Sequence, residues 1–61
     1  MIKDLILLLE DLEIDYAYNK KLSTVDFYLE GAIHSVSFEG EGIILLNGNY
    51  VSYRDLIYTL F

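Results

Sequence analysis

A chain of 61 residues with no cysteine, no proline and a single histidine is long enough for one small domain, residues 1–61; it leaves out disulfide staples and thiol redox chemistry and argues against a Cys/His zinc site. Ten acids against four bases give a net charge of −6, which excludes nucleic-acid binding through a basic footprint and disfavours anionic membranes. With 54% hydrophobic residues the chain is nonetheless too apolar for a disordered acidic tail, and a domain this small, burying only about 60% of its unfolded surface, needs close packing or self-association to stand.

Residues 2–12 carry apolar side chains at helical spacing: Ile2, Leu5, Ile6, Leu9 and Leu12 form one stripe, with Lys3, Asp4, Glu10 and Asp11 opposite. Leu7 breaks the pattern. At ~100° per residue it falls between Lys3 and Asp4 on the polar side, which marks it as a candidate contact with a second chain. The longest apolar run here, residues 5–9, is far short of the ~20 residues of a membrane-spanning helix. An acid precedes it and no small-residue cleavage site follows, so no signal peptide is expected and the chain reads as cytoplasmic.

Residues 13–19 alternate, with Ile14, Tyr16 and Tyr18 on one side of a half-buried strand. Residues 19–23 make a turn that holds Lys20 and Lys21. The stretch from Val25 to Phe38 reads as a hairpin closed by Glu30-Gly31, which pairs Leu29 with Ala32, Phe27 with His34 and Val25 with Val36 on a single face. A one-residue slip would scatter that set over both faces. A four-residue turn at 39–42 then sets Phe38 opposite Ile43 and Val36 opposite Leu45. Asn47-Gly48 is a strong signal for a type I′ turn, because both central residues need positive φ. It leaves room for a short last strand over residues 49–51. Ser52 with Asp55 three residues on marks a helix start, and Tyr53, Leu56, Ile57, Leu60 and Phe61 complete an apolar stripe expected to be buried to its last residue.

The expected fold class is α+β: a two-layer domain with a four-stranded antiparallel sheet, a short fifth strand optional, and N-terminal and C-terminal helices packed on one face in the order α-β-β-β-β-α. The core face would hold Ile14, Tyr16, Tyr18, Val25, Phe27, Leu29, Ala32, His34, Val36, Phe38, Ile43 and Leu45. The outer face would then combine acids (Asp15, Asp26, Glu30) with Tyr28, Ile33, Ile44 and Leu46. A patch of that size marks a contact surface, so the candidate partner-binding residues are Asp15, Asp26, Tyr28, Glu30, Ile33, Ile44, Leu46 and Leu7.

Catalytic constellations are missing. His34 lies on the core face opposite Phe27, away from Ser35 and Ser37, and reads as a packed side chain. Asp26 and Glu30 are roughly 13 Å apart at ~3.3 Å per residue, too far for a glycosidase pair. Glu39 and Glu41 flank Gly40 without the ligand order of a calcium loop, and Gly40-Glu41-Gly42 lacks what a phosphate loop requires. No enzyme activity, cofactor or metal is expected. The partner called for by the charge is a protein with a basic surface, with a homodimer as the expected assembly; neither a direct nucleic-acid ligand nor a membrane is expected. Six tyrosines suit a binding surface. In type the chain resembles small virus-encoded inhibitors that block host defence or nucleic-acid-processing proteins, some by imitating a row of phosphates. The alternative is a self-associating structural or regulatory module whose function is the homo-oligomer.

Overall fold

The computed structural model describes residues 2–61. Its elements follow in the order α1 (Ile2–Asp11), β1 (Tyr16–Asn19), β2 (Thr24–Leu29), β3 (Ala32–Phe38), β4 (Ile44–Leu46), β5 (Asn49–Val51) and α2 (Tyr53–Thr59). The five strands form one antiparallel meander, β1-β2-β3-β4-β5. Leu5 and Leu9 of α1, Leu56 of α2 and Leu60 at its C-cap close over Val25, Phe27, Val36 and Ile44 in one buried cluster. Both helices therefore cover the same face of the sheet, and the fold is the two-layer α+β arrangement, order α-β-β-β-β-β-α, with the short fifth strand present.

The punctuation comes from a few residues with positive φ. Glu30 and Gly31 (52° and 82°) and Asn47 and Gly48 (52° and 88°) make two-residue turns of the primed type, whose twist matches that of the strands they join. The first turn fixes Leu29 against Ala32, Phe27 against His34 and Val25 against Val36, as the alternation requires. The second fixes Leu46 against Asn49 and Leu45 against Tyr50.

α1 ends where the alternation suggests a strand should begin. Glu13 takes a left-handed conformation, φ 57°. Its N–H donates to the Glu10 carbonyl at 3.1 Å, and the Ile14 N–H donates to the Leu9 carbonyl at 2.9 Å. This pair of bonds is a Schellman cap, with Ile14 packing on the same core as Leu9. β1 is accordingly shorter than the expected 13–19, although the Tyr28 N–H still donates to the Asp15 carbonyl at 3.0 Å. At the start of α2, Ser52 Oγ accepts the Asp55 N–H at 3.0 Å, the expected cap.

The turn between β3 and β4 departs from expectation. Glu39 stays in the ladder: its N–H donates to the Ile43 carbonyl at 2.9 Å, and the loop itself is only Gly40-Glu41-Gly42, all three at positive φ. A three-residue loop in place of four shifts the pairing by one, to Phe38 with Ile44, Ser37 with Leu45 and Val36 with Leu46. Because side chains alternate with period two, every residue of β4 changes face. Ile44, expected on the outer face, is 1% exposed in the core, and Leu46 packs against that core. Leu45, expected inside, takes the outer face, while Ile43 leaves the core for the surface beside α1. Phe61 also differs. α2 stops at Thr59, so the last residue falls out of helical phase and is 78% exposed. Tyr18 and Ala32 keep their register on the core face but lie beyond the cover of the helices and are exposed.

Candidate functional site

Strand directions divide the molecule into two ends. The start of β1, the end of β2, the start of β3 and the C-terminus of α1 share one end, capped by Glu30-Gly31. The β1–β2 and β3–β4 turns and the N-termini of both helices share the other. The first end carries Glu10, Asp11, Glu13, Asp15 and Glu30, and Asp26 stands near the middle of β2 opposite Ser35, all exposed and with no base among them. The second carries Asp4, Glu39, Glu41 and Asp55 against Lys3, Lys20, Lys21 and Arg54, four acids against four bases. The second end is thus neutral, and the net charge of −6 equals the sum of these six carboxylates, five at the first end and Asp26 between the ends.

This placement works against the helix that supports it. The C-terminus of α1 holds the negative end of its dipole, where acids destabilise and bases stabilise. Glu10, Asp11 and Glu13 sit there and the last turn has no base. One hydrogen bond offsets part of the cost. Tyr16 Oη donates to Glu10 Oε2 at 2.7 Å, tying the end of α1 to β1. That bond holds the Tyr16 hydroxyl above the usual tyrosine pKa, with burial and the Glu10 charge acting in the same direction. Tyr53, at the other end, is raised mainly by burial and secondarily by the Asp4 charge.

Beside the acids lies a shallow depression on the outer face of the sheet, floored by Ala17 and edged by Asp15, Asp26, Tyr28 and Ile33. Tyr28 and Ile33 are directly paired across β2 and β3. Ile33 is 72% exposed and stands beside the exposed Tyr28 ring, so the two form an apolar contact surface on the outer face. Asp15 and Asp26 are diagonal neighbours across β1 and β2, about 7–8 Å apart in such a pair. Four of the eight expected binding residues thus meet in one place, and Glu30 stands at the adjoining hairpin tip. Ile44 and Leu46 do not belong to it, because the shortened β3–β4 loop turns them into the core. Leu7 is exposed but on the opposite layer, on α1.

The outer face does carry apolar residues near the other end, though not the expected ones. Leu45 and Tyr50 are paired there and continue the row Asn19, Thr24, Ser37. The signal for Tyr50 was in the sequence, since the Asn47-Gly48 turn alone places it opposite Leu45. On the core side, His34 stacks on Phe27 at 5.3 Å between ring centroids. Asn47 locks the neighbouring hairpin to β3: its N–H donates to the Ser35 carbonyl at 2.8 Å and its Oδ1 accepts the Ser35 N–H at 2.9 Å. Its Nδ2 must then face the histidine, donating to Nδ1 at 3.2 Å, which assigns the ring proton to Nε2. His34 is held by packing and one amide, with no nucleophile or carboxylate among these partners. Among the described residues, no three of His, Cys, Asp and Glu converge as metal ligands, and no helix is long and apolar enough to cross a membrane.

A second concavity, about 680 Å3 in volume, runs along the flank of α1, between Ile2, Ile6 and Leu7 on the helix and Tyr18, Phe38 and Ile43 on the sheet side. Sequence reasoning missed it, because Ile43 and Tyr18 were assigned to the core that the helices were expected to cover. Comparison with family models, with curated proteins and with solved structures finds no match to this chain.

Proposed function

We propose that this chain is a non-enzymatic binding protein of the inhibitor type, which occupies a basic surface of another protein through its acidic end and the adjoining outer face of the sheet. One observation carries the reading: Glu10, Asp11 and Glu13 oppose the α1 dipole, and Asp15, Asp26 and Glu30 add to the same negative charge with no base among them. Acids that served solubility alone would lower the energy by spreading over the surface or moving to helix N-termini. Side chains kept where they cost stability are expected at binding sites. Tyr28 and Ile33 supply the apolar contact beside the charge, and the carboxylates of Asp15, Asp26 and Glu30 offer a row of anions to a groove built for phosphates. The proposed mechanism is competition with nucleic acid for that groove. It requires no chemistry from the chain, only charge placed on a rigid sheet.

An arginine-rich peptide interspersed with tryptophan serves as the stand-in for a basic groove. Titrated into the isotopically labelled chain, it is expected to shift the amides of Asp15, Asp26, Tyr28, Glu30 and Ile33, and to be displaced from a fluorescent DNA duplex by the chain. Affinity should fall steeply between about 50 and 200 mM salt, and D15N/D26N should remove most of it. Shifts centred on the β3–β4 loop or α2, or full binding by D15N/D26N, would refute the reading.

A further inference from the structure

Both borders of the sheet are open, at β1 and at β5, and they are unequal. The Asp15 carbonyl accepts the Tyr28 N–H. Alternation along the ladder therefore turns the backbone groups of Ala17 and Asn19 toward β2 and those of Tyr16 and Tyr18 away from it. These two residues present their N–H and C=O groups to solvent. In β5 the two-residue turn makes Leu46 and Asn49 a hydrogen-bonded pair, which leaves only Tyr50 facing outward. The devices that blunt an exposed edge are missing from β1. The chain has no proline, residues 16–19 pair with 24–27 without a bulge, and the strand itself holds no charged side chain. Nor do the helices cover it. The fully buried strand residues, Val25, Phe27, Val36 and Ile44, lie on β2, β3 and β4, while Tyr18, on the helix side of β1, is 43% exposed.

This edge is its own complement. Turned end for end about Ala17, Tyr16 comes opposite Tyr18 of a second copy, and Tyr18 opposite Tyr16. Each such pair exchanges two backbone hydrogen bonds, four in all. Ala17 meets its equivalent at the axis, in the non-bonded position where opposed residues stand closest. Asp15 comes opposite Asn19. The Oδ1 of Asn19 already accepts the Leu22 N–H at 3.1 Å, so its Nδ2 is the group left to donate to a carboxylate. Charge follows the same symmetry: Glu13 and Asp15 precede the axis, Lys20 and Lys21 follow it, and antiparallel pairing sets the acids of each copy beside the lysines of the other. Glu10, bonded to Tyr16, joins the acid end, and Lys3 and Glu41, which line the concavity beside Tyr18, offset each other. Asp26 stands one strand in from the axis. Its two copies are three strand spacings apart, about 14 Å at ~4.8 Å each, beyond a screening length of ~8 Å. Pairing β1 with β5 of another copy would instead repeat head to tail as an open filament. We infer that the β1 edge takes a second copy of this chain, paired antiparallel about Ala17 into one continuous ten-stranded sheet.

This inference is independent of the proposed function. It leaves Asp26, Tyr28 and Ile33 outside the contact, and each can fail without the other. Amide exchange of the labelled chain and sedimentation velocity, both from low micromolar to millimolar concentration, test it. The Ala17 amide, bonded to β2, should be protected throughout. The Tyr16 and Tyr18 amides should exchange freely in the monomer and become protected as the dimer forms. Tyr18→Pro deletes an outward donor but no bond within the monomer. Its circular dichroism should be unchanged and its dissociation constant raised about thirtyfold, since two of the four bonds are lost. A17K and A17E should each stay monomeric and should associate when mixed, because only the mixture sets opposite charges at the axis. A17C should oxidise to a covalent dimer faster than I33C, the ~4.5 Å between Cα atoms at a non-bonded pair lying within disulfide range. A wild-type chain monomeric at millimolar concentration, its edge left open to a foreign strand, overturns the inference. So does a dimer whose Tyr16 and Tyr18 amides exchange freely, or a mixture of A17K and A17E that fails to associate.

Discussion

Replacing Ile44 by alanine tests the register of β4, on which the division between core and outer face depends. Ile44 is 1% exposed and touches the cluster formed by both helices and the central strands. Truncation removes three carbon groups at ~0.8 kcal/mol each, about 2.4 kcal/mol of transfer energy. A residual cavity raises this to about 3–4 kcal/mol. A domain of 61 residues has a total stability of only about 3–9 kcal/mol. The variant should therefore lose a third or more of its stability, and its urea midpoint should fall by ~3 M at an m-value near 1 kcal/mol/M. Ile33→Ala, the same change on the outer face, should stay within about 0.5 kcal/mol. Leu45→Ala should fall between the two. Urea denaturation followed by far-ultraviolet dichroism measures all three, and Ile44→Val, at about 1 kcal/mol, keeps the comparison open if the alanine variant does not fold. If Leu45→Ala costs more than Ile44→Ala, β4 faces the other way and the outer surface described above is wrong.

Two further outcomes follow from the caps and the titrating tyrosines. Glu13→Gly should stabilise the chain by about 1 kcal/mol, because it relieves a left-handed conformation at the Schellman position; thermal denaturation checks this, and the same variant should bind the basic peptide more weakly, so stability and binding move in opposite directions. Tyr16 and Tyr53 have folded-state pKa values raised above the ordinary 10.0. Their native interactions favour the protonated hydroxyl, so the stability they confer is complete below pH 10 and is lost as the pH rises through their folded values. Alkaline titration monitored by tyrosinate absorbance and dichroism should show Tyr16→Phe less sensitive to pH above 10 than wild type; an identical alkaline profile would mean that the bond to Glu10 does not form in solution.

Much of the architecture was legible from local chemistry. Glu30-Gly31 and Asn47-Gly48 specify primed turns because few other pairs tolerate positive φ in succession, and the alternation from Val25 to Phe38 has a single phase that places its apolar members together. The stripes of α1 and α2 and the Ser52 cap are local in the same sense. From these follow the helix-sheet-helix order, the pairing of Phe27 with His34, and the outward position of Asp26, Tyr28 and Ile33.

Tertiary structure decided what repetition left without a phase. Residues 43–46 are Ile, Ile, Leu and Leu, so either face of β4 would be equally apolar and the pattern carries no register. The choice fell to whether Glu39 joined the ladder or the loop, which depends on backbone hydrogen bonds across the turn. Glu13 likewise alternates as a strand residue should, yet the bonds closing α1 hold it in a left-handed cap that its side chain does not announce. The segregation of charge was partly legible: Glu10, Asp11, Glu13 and Asp15 stand together in the chain, and the fold decided that Glu30 joins them at one end, that Asp26 lies between the ends, and that the bases lie toward the other.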